Sequence, residues 1–502
     1  MHRFSVALTS VLHAQLVDHL VRSDGDEDLA FVVWKPSMGG SRMTAVLSEV
    51  VLPDAGDRHV HGNVSFESRY FMRACDHAAR LGGGIALIHS HPGAKTWQGL
   101  SSDDHAAESG HAAQATQLTG LPLVGLTFSG GNSGYSARVW TRAAPRVWEP
   151  QWAESVRVVG QQMRVSLPKL ADNYDARYQR RTIEAWGEER QHILGSLRIG
   201  VVGAGSVGSQ VIEALVRSGV GKLVILDYDA VEDHNLDRIL NATVDDAEAG
   251  YFKAEVAWRA ASRHATHPRP TIRWSASSAI ESEGLALLKD CDLIFSCVDR
   301  PAGRAALNAL AYAHLIPVVD GGVLVTPGRK VMRGAEWRAH VAAPGRRCLE
   351  CLGQFDAGLV QADRDGLLAD PTYLAQLPDD SPLKRNENVF AFSAAAAAEQ
   401  VLAALRMIVT PAGIADAGAQ TFHFALGTVD FDSRGCDSGC MYKDMTGAAD
   451  TSGRPALHRH VAAETSRAKT QARLDERHRK QATARASANR WWHRLAIWHR
   501  GR

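Results

Sequence analysis

The sequence predicts an α/β protein built from two units, each of which alternates strands with helices. In the first unit, apolar runs over 29–34 and 85–88 are separated by stretches of helical periodicity. In the second unit, a strand, a glycine-rich turn and a helix precede further strands over 222–227 and 293–298. This alternation favours, for the second unit, a Rossmann-like fold with a mainly parallel sheet and helices on both faces.

The individual elements follow from periodicity and from the breakers between them. In the first unit we predict helices over 11–22, 64–80 and 103–118, and strands over 29–34, 43–52, 85–88, 121–128 and 135–140. In the second we predict strands over 199–202, 222–227, 293–298 and 317–320, and helices over 207–218 and 394–407. The predicted domains are a first unit over 1–148, a linker over 149–172, a second unit over 173–447 and a tail over 448–502.

Three segments lack a strand pattern. The polar, charged stretch 150–195 is predicted to be a helical connector, and 355–385, which has no clear period, a mobile loop. The tail 448–502 has few β-branched residues, which predicts disorder or a solvated helix. Residues 451–502 hold 13 Lys and Arg against 3 Asp and Glu, whereas the whole chain has a net charge of +1, so the tail is basic and the body acidic. The candidate contacts for this tail are an anionic membrane surface, a nucleic acid or a partner; the alternative is a tail that is simply solvated.

Composition is ordinary for a globular chain, with 45% hydrophobic and 22% charged residues. The N-terminus lacks the basic start and following apolar run of a secretory signal. No uninterrupted apolar stretch approaches the roughly 18–20 residues of a membrane-spanning helix. Seven cysteines, an odd and sparse number, favour reduced thiols or metal ligands over disulfides. We therefore expect a cytoplasmic location.

The first candidate site begins at the end of the strand over 85–88. His89 and His91 stand at positions i and i+2, so on a strand end they project to the same side. Asp104, at the start of the following helix, can complete a set of three nitrogen and oxygen ligands. Three such ligands and one open position are typical of a catalytic zinc, which lowers the pKa of its water towards about 7. Such a site also needs a carboxylate that carries the water's proton to the leaving amine.

His-Ser-His-Pro at 89–92, followed by Ser-x-x-Asp at 101–104, resembles the motif of the JAMM (MPN-type) zinc isopeptidases, which remove ubiquitin or ubiquitin-like tags. The resemblance covers roughly residues 1–145. It implies an α/β zinc hydrolase in which the catalytic Glu opens the strand after the first helix. The implied roles are zinc binding by His89, His91 and Asp104, oxyanion binding by Ser101, and proton transfer by Glu27.

Alternatives stay open in this unit. Glu49, on the next strand, is the second candidate for the catalytic Glu. Asp103 is the second candidate for the third ligand, because the eight residues between Pro92 and Ser101 are more than is usual in the family. A chance His-x-His pair on a strand end is the non-functional alternative.

The second candidate site begins with Gly203, Gly205 and Gly208, spaced as Gly-x-Gly-x-x-Gly between a strand and a helix. This turn lets backbone N–H groups approach a phosphate, and a carboxylate at the end of the next strand, Asp227, can bind ribose hydroxyls. So far a nicotinamide dehydrogenase fits equally well. The later residues Asn235, Arg238, Lys253 and Asp299 favour an adenylating enzyme, in which cations neutralise a triphosphate and an Asp holds Mg²⁺.

This arrangement resembles the ubiquitin-activating and ThiF-like adenylyltransferases over about residues 173–445. Arg-Tyr-Gln-Arg at 177–180 is similar to an N-terminal element of that family, whose last Arg reaches the phosphates of the partner subunit, so the resemblance implies a homodimer. Arg300 stands where Asn is commoner, and it and Arg304 are expected to face solvent. The implied roles are phosphate binding by Arg180, Asn235, Arg238 and Lys253, a backbone cradle at Gly203, Gly205 and Gly208, ribose binding by Asp227, Mg²⁺ binding by Asp299, and catalysis by Arg238 and Asp299.

Two cysteine pairs, Cys348 with Cys351 and Cys436 with Cys440, suit a tetrahedral structural zinc, and the related adenylyltransferases carry one in corresponding places. The alternative is a reduced, metal-free set, in which Cys348 or Cys351 is the candidate nucleophile. No cysteine falls in 355–385, so we expect adenylation without a thioester to a loop cysteine.

The two sites together predict a bifunctional enzyme of a ubiquitin-like pathway. One site cleaves at the C-terminus of a ubiquitin-like protein, and the other adenylates that C-terminal Gly for conjugation or sulfur transfer. The expected cofactors are a catalytic zinc, a structural zinc, ATP and Mg²⁺. The expected partners are a ubiquitin-like or sulfur-carrier protein ending in Gly and, as a candidate, a conjugating enzyme. The alternatives are a sensor or scaffold without turnover and a sulfur-carrier activating enzyme of cofactor biosynthesis.

Overall fold

The computed structural model describes residues 3–130, 134–168, 177–328, 331–378, 381, 384, 387–453 and 457–499; in the last helix it describes side chains as far as residue 483 and at residue 485. Within these residues the strands are β1 (Arg3–Thr9), β2 (Leu29–Met38), β3 (Arg42–Val51), β4 (Arg58–His61), β5 (Asn63–Phe66), β6 (Gly84–His91), β7 (Val124–Ser129), β8 (Gly134–Ala144), β9 (Val147–Trp152), β10 (Val156–Val159), β11 (Met163–Ser166), β12 (Arg198–Val202), β13 (Lys222–Leu226), β14 (Thr271–Ser275), β15 (Leu293–Ser296), β16 (Val318–Thr326), β17 (Gly334–Ala342), β18 (Ala419–His423) and β19 (Thr428–Asp432).

The helices of the same residues are α1 (Ser10–Leu20), α2 (Ser68–Arg80), α3 (Ser102–Thr119), α4 (Arg180–Trp186), α5 (Glu188–Ser196), α6 (Ser206–Arg217), α7 (Val244–Ala249), α8 (Lys253–His264), α9 (Ser282–Lys289), α10 (Pro301–Ala313), α11 (Ala357–Arg364), α12 (Pro371–Gln376), α13 (Phe390–Val409), α14 (Met441–Asp444) and α15 (Val461–His499).

The N-terminal sheet has the strand order β11-β10-β1-β3-β2-β6-β7-β8-β9 within the described chain. Its central strands β2 and β6 are continuous apolar runs because both of their faces are covered, by α1 on one side and by α2 and α3 on the other. β6 lies antiparallel to β2 and parallel to β7. The His-x-His pair therefore lies at the end of a buried strand.

This sheet continues beyond the predicted boundary at residue 148. Strands β9 to β11 occupy 147–166, so the prediction of a helical connector, and of a linker over 149–172, is wrong for these residues. The cause is the buried run of β10, in which Val156 pairs with Val6 of β1 and Val158 and Val159 are hidden. Arg157 interrupts the apolar pattern but is itself buried. Residues 169–172 lie outside the described chain.

The C-terminal sheet has the order β14-β13-β12-β15-β16-β17-β18-β19. Its first five strands are parallel and its last three antiparallel, so the sheet is mixed and the predicted parallel arrangement holds for one half. Helices α6, α8 and α13 cover one face, and α9 and α10 cover the other. The carboxyl ends of the parallel strands share one edge, which is where open α/β sheets bind ligands.

Among the described helices, α13 is long and apolar enough to cross a membrane. It packs against α6 and against strands β16 and β17, and half of its apolar window is buried in the protein. A core helix of a globular domain passes the same test, and α13 has that position here.

The predicted mobile loop over 355–385 contains two helices, α11 and α12, in its described part. The buried Asp363 anchors α11, since its Oδ2 accepts a hydrogen bond from the backbone N–H of Ala302 at 2.9 Å. Residues 379–380, 382–383 and 385–386 lie outside the described chain. The prediction missed these helices because they are short and carry few buried apolar side chains of their own.

A buried ion cluster joins the two sheets. Asp292 accepts hydrogen bonds from Arg42 Nη1 at 2.7 Å, from the guanidinium of Arg157, and from the backbone N–H of Arg198 at 2.8 Å. Burial opposes ionisation, but the two guanidinium charges lower the pKa of Asp292 to about 2. Arg42 of β3 and Arg157 of β10 are therefore held through the second unit.

Candidate functional site

The three predicted zinc ligands of the N-terminal unit lie together. His89 Nε2 and His91 Nε2 are 3.1 Å apart, and His89 Nε2 lies 3.2 Å from Asp104 Oδ1. All three ligand atoms fall within 4.8 Å of one another. Nitrogen and oxygen ligands about 2.0–2.1 Å from a zinc ion sit about 3.3 Å apart at tetrahedral corners, so the donor set fits that metal.

The start of α3 fixes the orientation of the carboxylate ligand. Ser101 is the N-cap, and its Oγ accepts a hydrogen bond from the backbone N–H of Asp104 at 3.1 Å. In return, Asp104 Oδ2 accepts one from the Ser101 N–H at 3.1 Å, which completes a capping box. The structure thus turns Asp104 towards the histidines, whereas the alternative ligand Asp103 is exposed beside Ser102.

Of the two candidate catalytic carboxylates, Glu27 is the one near the metal ligands. Its Oε1 lies 3.8 Å from His91 Nε2, and burial raises the pKa of its carboxyl. Glu49 instead binds His77 and is 54% exposed. The geometry therefore places Glu27, and not Glu49, where a proton-transfer group would serve this cluster.

Asp28, the buried neighbour of Glu27, was not recognised from the sequence pattern. Asp28 is buried, and its side chain binds the guanidinium of Arg58 and lies 3.4 Å from Arg22 Nη1. Its backbone exchanges hydrogen bonds with Ser90, between the two histidines, at 2.9 Å in both directions. An acidic pair directly before an apolar strand was visible in the sequence, but nothing local distinguished the buried member from the exposed one.

In the second unit, a cleft of about 330 Å³ opens at the carboxyl ends of β12, β13 and β15. It brings together seven of the predicted nucleotide-site residues, Gly203, Gly205, Asp227, Asn235, Arg238, Lys253 and Asp299. Parallel strands of a doubly wound sheet converge in this way at a topological switch point, here between β12 and β15.

The glycine turn is shaped by close backbone packing. Gly203 has a φ of +92°, and a Cβ there would lie 2.4 Å from the Cys297 carbonyl oxygen. A Cβ at Gly208 would lie 1.9 Å from the carbonyl oxygen of Gly203, so only glycine fits at either position. A Cβ at Gly205 would meet no protein atom within 4 Å, which leaves the start of α6 open to the cleft.

Two carboxylates and an ammonium group lie beside this turn. Asp227 accepts hydrogen bonds from the N–H groups of Ala204 at 2.7 Å and Asp229 at 2.8 Å, and burial raises its pKa to about 6. Lys253 Nζ lies 3.1 Å from Asp229 Oδ2. Burial opposes the charge of Lys253, but Asp229 and Asp227 raise its pKa, so an ammonium ion faces the cleft.

The remaining predicted residues separate into two groups. Arg238 lines the cleft and binds Asp237 Oδ1 at 2.9 Å, and the exposed Asp299 lines the opposite strand end. Arg180 does not line the cleft of its own chain; it is 84% exposed and pairs with Glu184.

The expectation that Arg300 and Arg304 face solvent is wrong, because both line the cleft. Arg304 Nε donates to the buried Asp320 at 3.2 Å, and Arg300 Nη1 lies 3.4 Å from Asp363. Both carboxylates come from elements distant in sequence, so neither pair was visible locally.

The four predicted cysteine ligands also cluster. Their sulfur atoms lie within 4.8 Å of one another, and the Sγ atoms of Cys348 and Cys440 are 3.6 Å apart. Sulfurs about 2.3 Å from a tetrahedral zinc are about 3.8 Å apart. The backbone N–H of Cys348 donates to Cys436 Sγ at 3.2 Å and that of Cys351 donates to Cys348 Sγ at 3.3 Å. The donor set and its spacing fit a structural zinc.

The second unit, which contains this cleft, matches a known protein family. A model of the ThiF family matches residues 178–432, which is half of the chain and spans the glycine turn, Asp227, Lys253 and Asp299. The chain belongs to the ThiF family. The match leaves the His-x-His cluster outside the ThiF region, and the JAMM resemblance of that unit stays a prediction.

The relatives of the ThiF region are similar over parts of their length. The molybdopterin-synthase adenylyltransferase of Escherichia coli (strain K12) is 30% identical over 190 residues, which are 38% of this chain and 72% of the relative. The adenylyltransferase and sulfurtransferase UBA4 of Yarrowia lipolytica is 31% identical over 163 residues, 32% of this chain and 40% of the relative. The ubiquitin-like modifier-activating enzyme 5 of Drosophila pseudoobscura pseudoobscura is 33% identical over 139 residues, 25% of this chain and 33% of the relative. The chain thus spans less than half of the latter two.

Among solved structures, Escherichia coli MccB with ATP is similar at a TM-score of 0.41 and 17% identity, covering 53% of this chain and 74% of that one.

Proposed function

We propose that the ThiF-family unit adenylates the C-terminal glycine of a ubiquitin-like or sulfur-carrier protein with ATP and Mg²⁺. The single observation that carries this proposal is the cleft, which unites a phosphate-cradling turn, a ribose-type carboxylate, the predicted cations Arg238 and Lys253, and Asp299. A hydride-transferring enzyme has no use for the cations and the extra Asp. The relatives named as adenylyltransferases support the same reaction.

In this reaction a carboxylate oxygen of the glycine attacks the α-phosphorus of ATP. The bond from that phosphorus to the bridging oxygen breaks, and its electron pair leaves with pyrophosphate. Lys253 and Arg238 neutralise the charge that develops on the leaving group, and the N–H groups at the start of α6 hold a phosphate. Asp299 is the residue that would hold Mg²⁺, an ion that screens phosphate charge when bound.

The test is ATP–pyrophosphate exchange with a panel of small ubiquitin-like proteins ending in Gly-Gly. We expect exchange with the wild-type chain and a loss of about 100-fold or more in Asp299→Asn, because a group that stabilises the transition state is removed. Asp430→Asn, on the distant strand β19, is the matched control. Equal exchange rates in Asp299→Asn and wild type would overturn the assignment.

We infer a second activity for the N-terminal unit, a JAMM-type zinc isopeptidase that cleaves at the C-terminus of the same class of protein. His89, His91 and Asp104 would hold the zinc, which supplies Lewis acidity and a water of lowered pKa when bound. Glu27 Oε1 faces this position and would accept the water's proton, then deliver it to the departing amine. Ser101 would help to hold the oxyanion, the role that the family resemblance implies for it.

Cleavage of a C-terminal extension from a Gly-Gly-ended protein tests this activity. Glu27→Gln should abolish cleavage while the zinc content stays that of the wild type, and Glu49→Gln should leave cleavage unchanged. His91→Ala should lose both cleavage and one zinc ion. Cleavage that survives in Glu27→Gln would contradict the proposal.

The four-cysteine cluster supports a second, structural zinc. We expect metal analysis to find two zinc ions per chain, of which Cys436→Ser removes one and lowers the Tm, because structural zinc contributes folding free energy. A Cys75→Ala variant, which should keep both zinc ions, is the control for zinc content, because Cys75 is buried in the apolar core of the N-terminal unit. A wild-type chain that contains no zinc, and whose Tm equals that of Cys436→Ser, would instead favour reduced, unligated thiols.

The exposed position of Arg180 supports the homodimer that the family resemblance implies, with this Arg completing the phosphate site of the partner subunit. Mixing Arg180→Ala chains with Asp299→Asn chains should restore part of the exchange activity that each variant has lost. No recovery on mixing would contradict this arrangement.

Sulfur transfer is the candidate ending that the molybdopterin-synthase relative favours. It predicts a thiocarboxylate on the glycine, seen as a mass gain of one oxygen-to-sulfur exchange. Conjugation predicts instead an amide to a target lysine, made with a conjugating enzyme.

A further inference from the structure

The cleft has one wall that the ThiF region does not supply. His460 lines it, although this residue lies well beyond the matched residues 178–432. The His460 side chain is buried, with the residue only 2% exposed, yet neither of its ring nitrogens has a hydrogen-bond partner. Leaving a buried polar group unpaired costs free energy, so an imidazole in this position is poised for a ligand.

The segment 457–460 is attached to the loop that follows β14. The backbone N–H of Leu457 donates to the Ile280 carbonyl oxygen at 2.8 Å, and the N–H of Ser282 donates to the Leu457 carbonyl oxygen at 3.0 Å. The N–H of His460 donates to Glu281 Oε1 at 3.2 Å. These bonds form an added edge on the cleft rather than a loose contact.

The first turns of α15 secure the same segment. Arg467 forms a two-pronged pair with the carboxylate of Glu281 at 2.8 and 2.9 Å, and the Ser466 hydroxyl donates to the Tyr228 carbonyl oxygen at 2.8 Å. The His460 ring meets the Tyr228 ring edge-on, with centroids 5.7 Å apart. The start of the basic tail is thus part of the second unit.

The sheet order indicates which half of a bound nucleotide this wall meets. Phosphates belong at the glycine turn after β12, and the ribose belongs at Asp227 after β13. The direction from β12 to β13 continues to β14, so the base lies towards the loop that follows β14, over 277–280. His460 packs on that loop and on Tyr228, next to the ribose carboxylate.

We propose that residues 457–467 form the base-side wall of the nucleotide site and that the His460 imidazole binds the adenosine half of ATP. This inference rests on the proposed adenylation and adds to it a binding residue from outside the ThiF region. Burial lowers the pKa of His460, so the ring is neutral at pH 7 and offers one N–H donor and one acceptor nitrogen. An uncharged pair of this kind suits a base edge or a ribose hydroxyl, while the phosphates have Lys253 and Arg238.

Calorimetric titration of the full chain with ATP, AMP and pyrophosphate tests this. His460→Phe keeps the aromatic ring and its contact with Tyr228 but removes both nitrogens. We expect it to weaken ATP and AMP about 10-fold to 100-fold, the effect of losing a buried hydrogen-bonding group, and to leave pyrophosphate binding unchanged. His458→Ala, an exposed residue of the same segment, should bind all three ligands like wild type.

The outcomes separate the two proposals. A wild-type chain that binds neither ATP nor pyrophosphate would contradict the adenylation itself. Wild-type binding that persists in His460→Phe, or in His460→Ala should the first variant fold poorly, would overturn the role of His460 and leave adenylation standing. Equal weakening of pyrophosphate and AMP binding would also overturn the role of His460, because the substitution would then have disturbed the whole cleft and not only its adenosine half.

Discussion

Neighbouring carboxylates in this protein have opposite surroundings and therefore opposite uses. Glu27 is partly exposed and faces His91 at 3.8 Å, whereas Asp28 is buried among arginines. The first position leaves a carboxylate free to move a proton, and the second holds the chain beneath it. The two residues directly precede β2, which begins at Leu29.

Stability measurements should separate these two residues. Asp28→Asn removes the charge that compensates Arg58 and Arg22, and because both arginines are partly exposed and Arg22 also pairs with Asp24, we expect a loss of about 1–3 kcal/mol of unfolding free energy. Glu27→Gln should leave the free energy of unfolding within about 0.5 kcal/mol of wild type. Urea denaturation measures both. A stable Asp28→Asn protein would show that the arginines find other partners.

The glycine turn permits a matched pair of single substitutions. In Gly208→Ala the new Cβ would meet the Gly203 carbonyl oxygen at 1.9 Å, which the backbone cannot accommodate, so the Tm should fall and nucleotide binding should be lost. In Gly205→Ala the Cβ meets no protein atom, so the Tm should stay unchanged. Its ATP affinity should nevertheless fall, since the Cβ enters the space where a phosphate approaches. Unchanged ATP affinity in Gly205→Ala would place the phosphate elsewhere.

At the scale of single elements, Asp104 has two roles: it is part of a helix capping box with Ser101, and it is a predicted metal ligand. The Ser101–Asp104 capping box begins α3 and orients Asp104, the third predicted ligand. Helix α1 has a simple N-cap, in which Thr9 Oγ1 accepts from the Leu12 N–H at 3.1 Å and which includes no candidate ligand. A capping loss and a metal loss can therefore be told apart.

We expect Thr9→Ala and Ser101→Ala each to lower stability by about 1 kcal/mol. Only Ser101→Ala should also weaken zinc binding, by about 10-fold, because the lost hydroxyl fixes the backbone of Asp104, although the Ser101 backbone N–H that binds Asp104 Oδ2 remains. Chelator competition gives the zinc affinity and thermal unfolding gives the Tm. Equal zinc affinities in the two variants would mean that the cap does not position Asp104.

The sequence anticipated elements whose pattern is local. The strand ends that carry His89, Asp227 and Asp299 could be placed because each apolar run has a clear end, and the residues after parallel strands meet at one edge. Strand β10 was missed because Arg157 interrupts its pattern, and the partner that allows its burial, Asp292, is 135 residues away. His460 was missed for a similar reason. Its neighbours Tyr228 and Glu281 are far away in the sequence, so no local pattern indicates its position.

At the scale of the whole molecule, Asp292 couples the two units. It belongs to the second sheet and accepts from Arg42 and Arg157 of the first. Asp292→Ala should cost about 3–5 kcal/mol of unfolding free energy, since two buried guanidinium groups lose their charge partner. Glu154→Ala, which removes the half-exposed partner of Arg198 at the same junction, should cost less than about 1 kcal/mol. Similar losses in both variants would show that the cluster is not a specific coupling.

We propose that the two sites of this chain act on one substrate. The direct measurement is ATP–pyrophosphate exchange with a Gly-Gly-ended ubiquitin-like protein that carries a C-terminal extension. We predict exchange that begins only as the extension is cleaved, that is lost in Glu27→Gln, and that returns in this variant when the protein is supplied already trimmed. Exchange with the uncleaved protein would contradict the proposal that the two sites act in sequence on one substrate. No exchange with the trimmed protein, although the chain binds nucleotide, would contradict it as well.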